Sequence, residues 1–139
     1  MPLIKERLAA GQSVRFGPKG TSMLPLLRQG IDNVVLSPLS GKLKKYDLPL
    51  YQRADGSYVL HRIVKAEDTY TCIGDNQFIF EPGVRDDQMI GVVTAVYRGD
   101  RRWEVTSLSY RLYCCVWHIT RFPRRYLRAL KEKVRGLLK

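Results

Sequence analysis

The chain predicts a mainly β, α+β domain with a short helix at its start and a basic helical tail at its end. Three observations carry that reading. Short extended runs, separated by Gly, Pro and Asp-Gly turns, fill residues 12 to 105, the pattern of a β domain. Beyond residue 106 the apolar residues recur at helical spacing instead. The charge divides near the same place: residues 1–97 hold 12 Lys+Arg against 10 Asp+Glu, residues 98–139 hold 12 against 3, and the whole chain carries +11. We therefore divide it into residues 1–105, a β domain, and residues 106–139, a basic amphipathic helical tail. At 139 residues, 45% apolar and 27% charged, it is long enough to bury a core. Its composition is neither that of a disordered chain nor that of an integral membrane protein.

Residues 2–10 read as a helix with Leu3, Ile4 and Leu8 on its apolar side and Gly11 as its stop. Residues 13–16 give a first strand and residues 31–36 a second; between them Leu26 and Leu27 fit a single helical turn. Residues 37–45 form a polar loop whose Lys42, Lys44 and Lys45 read as solvated surface. Residues 47–51 are strand-like, with Pro49 placing them at an edge or a strand start. Asp55-Gly56 marks a hairpin turn from which residues 58–66 pair back. Along that strand Val59, His61 and Ile63 share one face, Leu60, Arg62 and Val64 the other. A strand over residues 69–73 ends at Gly74-Asp75-Asn76; Glu81-Pro82-Gly83 reads as a turn. Residues 89–97 are the last long strand, and residues 98–105 a hairpin turning at Gly99-Asp100. In the tail, Pro123 separates a helix of about residues 107–120 from one of about 124–138.

The stretch that organises the chemistry is Gly20-Thr21-Ser22-Met23-Leu24-Pro25. Gly20 reaches backbone angles closed to other residues, and Pro25 restricts itself and Leu24. A serine between such devices is held in one orientation, as a nucleophile requires; an isolated serine in a turn is otherwise a capping residue. His61 lies between Val59 and Ile63, where a lone histidine is ordinarily a core residue and a neighbouring nucleophile would make it a base. Gly74-Asp75-Asn76 alone is an ordinary turn. Gly17 to Ser22 lacks the spacing of a phosphate loop, since Lys19 precedes Gly20.

Taken together, the three segments resemble the signal peptidase I superfamily, which includes the LexA-type self-cleaving repressors. Gly20 to Pro25 is similar to its G-x-S-M-x-P box, His61-Arg62 to the His-Arg of the SipW-like, archaeal and endoplasmic-reticulum forms, and Gly74-Asp75-Asn76 to its G-D-N box. The resemblance covers residues 12 to about 97. It implies a fold of coiled β-sheets with an open groove, and a serine peptidase that binds its substrate as an extended strand. Ser22 would be the nucleophile, His61 the base, and Asp75 the residue that orients His61; Asp86 or Asp87 matches a second aspartate of the His-type members. Many members carry a hydroxyl two residues before the nucleophile, where this chain has Gly20. The competing reading keeps the fold without the chemistry, as a binding domain that docks to a membrane surface or partner through its tail.

No cofactor or metal is implied. Cys114, Cys115 and His118 lack paired C-x-x-C spacing, and three cysteines, an odd number, fit a reducing compartment. The charged start and the short apolar runs suggest a cytoplasmic protein, unlike membrane-anchored signal peptidases. The expected partners are a peptide or protein substrate and, through the tail, an anionic membrane surface: Tyr126, Leu127, Leu130, Val134, Leu137 and Leu138 fall at helical spacing, with six basic residues around them. Packing of that helix on its own domain accounts for the same stripe. Nucleic acid accounts for the charge but not for the leucines.

Overall fold

The computed structural model describes residues 2–138. Helix α1 (Pro2–Ala9) leads into β1 (Val14–Phe16), β2 (Asn33–Ser37), β3 (Pro49–Gln52) and β4 (Tyr58–Leu60). Then follow β5 (Arg62–Ala66), β6 (Tyr70–Ile73), β7 (Glu81–Val84), β8 (Met89–Arg98) and β9 (Arg101–Glu104), and finally α2 (Leu108–Ile119) and α3 (Arg121–Leu137). The architecture is α+β, and every strand pair is antiparallel. Among the described residues no helix is long and apolar enough to cross a membrane.

The larger sheet runs β1-β2-β8-β3-β4. β8 is its spine: β2 pairs along one edge, while β3 and then β9 share the other. The register slips opposite Val35 and Leu36, leaving Thr94 as the extra residue of β8; its carbonyl accepts the Val105 N–H at 3.2 Å. Such a bulge bends its strand. The smaller sheet is β5-β6-β7.

Each sheet has its own core. Leu26, Leu36, Leu50, Leu60 and Val96 fill the first, Tyr51, Val59, Ile63, Tyr70 and Cys72 the second. Full burial of one such aliphatic side chain is worth about 1.5–3 kcal/mol. The expected strand of residues 58–66 passes between them and is broken at His61: β4 belongs to the larger sheet, β5 to the smaller. Residues 59–64 are therefore buried on both faces.

Three boundaries differ from expectation. Glu81-Pro82-Gly83 lies in β7, at the edge of the smaller sheet, where a proline's missing N–H costs no ladder bond. The tail helices meet at Thr120, and Pro123 sits in the first turn of α3, where the N–H has no intrahelical acceptor. The division at residue 105 falls within the fold, because Tyr110 and Cys114 of α2 are buried in the first core. Ser107 caps α2, its Oγ accepting the Tyr110 N–H. α3 is anchored at its start by the buried Arg121, and most of its length is exposed.

Candidate active site

Ser22 is half-buried in the turn after β1, on a segment anchored by the buried Met23, Leu26 and Leu27. The Met23 carbonyl accepts the Leu27 N–H at 3.0 Å, which closes the helical turn behind the serine. The Gly20 N–H donates to Gln29 Oε1 at 3.0 Å on the other side. Gly74-Asp75-Asn76 straps this turn from across the chain. The Asn76 N–H donates to the Ser22 carbonyl at 2.8 Å and Asn76 Nδ2 to the Thr21 carbonyl at 3.1 Å. A Cβ on Gly74 would stand 2.5 Å from the Ser22 carbonyl oxygen, so only glycine allows this approach. Among the described residues no acceptor takes the Ser22 N–H, which leaves it available as an oxyanion donor.

His61 occupies the break between β4 and β5 and is 7% exposed. Its ring meets Tyr51 edge-on at 6.5 Å, and its buried Nδ1 has no hydrogen-bond partner among the described residues. Burial, followed by the Arg53 guanidinium, pushes its pKa down to about 4 against a weaker pull from the Glu81 and Asp75 carboxylates. His61 is therefore neutral at physiological pH. Glu81 is held beside it by Tyr51 Oη at 2.6 Å and by Arg53 at 3.0 Å.

Ser22 and His61 line one groove of about 710 Å³, with Leu50, Tyr58, Leu60 and Gln77. Past His61 it opens into a second hollow of about 720 Å³, walled by Phe78 and Phe80 and by Arg125 and Arg128 of α3. Arg53, His61 and Gln77 border both. Among the described residues no hydrogen bond joins Ser22 to His61.

Asp75 does not hold His61. Its carboxylate accepts Arg62 Nε at 2.9 Å, Arg62 Nη2 at 3.0 Å and Tyr113 Oη at 2.7 Å, and its carbonyl accepts Trp117 Nε1 at 2.6 Å. The reason lies in the strand. Arg62 leaves the chain towards α2, where Nη1 also donates to the Tyr46 carbonyl, Tyr110 Oη and Cys114 Sγ. A buried guanidinium needs a buried counter-ion, and Asp75 supplies it. Burial and then the Asp75 carboxylate push the Tyr113 phenol up, so it stays protonated and donates. Asp86 and Asp87 are also engaged elsewhere: Asp86 accepts Tyr70 Oη, Asp87 pairs with Arg85 at 3.0 Å, and neither lines the serine groove.

Sequence reasoning placed none of Arg62, Tyr113, Trp117 and Arg121 at the serine turn: Arg62 entered only beside His61 in the matched pair, Tyr113 and Trp117 only as aromatics of a membrane-facing tail. Arg121 is buried at the start of α3 and donates to the carbonyls of Gly74 at 3.2 Å and Gln77 at 2.6 Å. Together these four clamp the Gly74–Asn76 strap, and the strap clamps the serine turn. One signal was present beforehand: a strand arginine that shares its face with Leu60 and Val64 calls for a partner acid. Compared with protein-family models, with curated proteins and with solved structures, the chain matches none of them.

Proposed function

We propose that this chain is a serine endopeptidase of the signal peptidase and LexA-like type, acting on an extended peptide segment laid in the groove beside β4. Ser22 Oγ attacks the scissile carbonyl, and its proton passes to His61 Nε2. His61 returns the proton to the leaving amine, and water then hydrolyses the acyl ester by the same base. The Ser22 N–H faces the developing oxyanion. The observation that carries this reading is the pairing, in one groove, of a strapped serine turn with a buried, neutral histidine. With Asp75 committed to Arg62, the unit is a Ser-His dyad, and Glu81 and Asp75 act on the imidazolium only through space. A base held this far below neutrality is weak, so turnover is slow.

The binding-only reading is favoured by one specific feature, the unpartnered Nδ1 of His61. The two readings separate under a serine-reactive phosphonate. The peptidase gives a stoichiometric adduct that maps to Ser22, is absent in Ser22→Ala, and forms much more slowly in His61→Ala. No adduct, together with retention of extended peptides in the groove, leaves the binding domain.

A further inference from the structure

We propose that α2 and α3 present one continuous face by which this protein lies on an anionic lipid bilayer. On α2, Leu108, Leu112, Val116 and Ile119 are exposed. On α3, Phe122, Tyr126, Leu130, Val134 and Leu137 are exposed, from 45% at Leu130 to 78% at Phe122 and Leu137. Leu108 to Leu137 spans 29 residues in eight steps, the 3.6-residue period of a single α-helix. The two helices join at Thr120, whose backbone (φ −84°, ψ 2°) caps both. Its N–H donates to the Val116 carbonyl at 3.0 Å, and its carbonyl accepts the Arg124 N–H at 2.9 Å, so two bonds of i to i−4 spacing bridge the joint.

Packing decides which way the stripe points. The opposite face of α2 is committed to the fold through Tyr110, Cys114, Tyr113 and Trp117, so its outward leucines cannot turn in. An amphipathic helix that covered its own domain would bury its stripe; α3 leaves it open. Charge selects the occupant. Residues 108–137 hold eight Lys+Arg, of which six are exposed, Arg121 being buried and Arg124 half-buried, against one acidic residue, Glu132. A second copy of this chain would set two such basic faces together, whereas an anionic headgroup layer neutralises them. Arg and Lys beside an apolar stripe lay their stems along it and keep their charges at headgroup level. Arg125 and Arg128, on the side of α3 away from the stripe, wall the hollow beyond His61 instead, so the docked helix stands between that hollow and the bilayer. The inference does not depend on the peptidase reading.

The test uses the full chain, because α2 is part of the core. It is sedimented at low salt with vesicles of phosphatidylcholine alone, or of phosphatidylcholine with phosphatidylglycerol. The expected result is sedimentation with the anionic vesicles only, falling as salt rises, with α3 amides protected from hydrogen exchange. Lys131→Gln and Lys133→Gln each weaken the partition roughly fivefold. Leu130→Glu with Val134→Glu lowers it by at least about tenfold while thermal unfolding stays unchanged, since both positions are exposed. If that double variant does not fold, Leu137→Glu, in the last turn of α3, carries the same expectation. Indifference of the full chain to anionic vesicles overturns the proposal. So does binding undiminished by the stripe variants, or a stripe-dependent dimer that ignores lipid.

Discussion

Asp75→Asn separates two roles for this aspartate. The carboxylate is 1% exposed and faces a guanidinium that is 2% exposed. It accepts three hydrogen bonds, two from Arg62 and one from Tyr113. Asparagine keeps one oxygen and turns an NH2 group towards donors. Tyr113 can rotate its hydroxyl to accept; the fixed guanidinium cannot, and its charge is left buried without a counter-ion. Breaking one side of a buried pair costs about 3–5 kcal/mol, against a total stability of about 5–15 kcal/mol. Urea unfolding followed by circular dichroism is the assay. With a slope of about 2 kcal/mol per molar, the midpoint falls by roughly 2 M. Arg62→Leu with Asp75→Leu recovers part of the loss, and the double-mutant cycle reads the coupling. A loss below about 1 kcal/mol, combined with abolished phosphonate labelling, would refute the reasoning and return Asp75 to His61.

Three further outcomes follow from the same geometry. The rate of Ser22 labelling holds from pH 8 down to near 5 and falls only towards about 4, the pKa to which burial and Arg53 depress His61; an acid limb at the ordinary ~6.5 contradicts that burial. The unfolded chain protonates this histidine first. Its stabilising contribution is therefore complete above about 6.5 and lost as pH falls towards 4, up to about 3 kcal/mol, and a His61→Gln chain with an unchanged stability slope over that range argues against it. Gly74→Ala places a Cβ 2.5 Å from the Ser22 carbonyl oxygen. The serine turn must shift, and labelling slows by about 100-fold; an unimpaired rate rejects the strap as the device that positions Ser22.

What was legible beforehand is what the chain signals locally. The Gly20–Pro25 turn, the Asp55-Gly56 hairpin and the long β8 strand are each written in residues within a few positions of one another. The same local signals misled at Glu81-Pro82-Gly83, because turn residues and a proline-bearing edge strand share a composition. Asp75 was found as a residue and misassigned as a partner. Its neighbours Arg62, Tyr113 and Trp117 come from one strand and one helix far along the chain, and no spacing rule links them. α2 was read as tail because the charge was summed over residues 98–139 as a whole; α2 itself holds one charged residue, Arg111, and nothing local marks its inward residues, Tyr110 and Cys114, as core.

The clamp on the serine turn also sets an order of assembly. Ser22 is held by Gly74 and Asn76, and these in turn by Tyr113, Trp117 and Arg121. The groups that complete a feature near the start of the chain are thus made last. A growing polypeptide that already contains Ser22 and His61 still lacks the groups that fix the serine turn, and acquires them only when the residues through Arg121 have been added and have docked. Closure over such sequence distances is slow by nature, so the serine turn is fixed late.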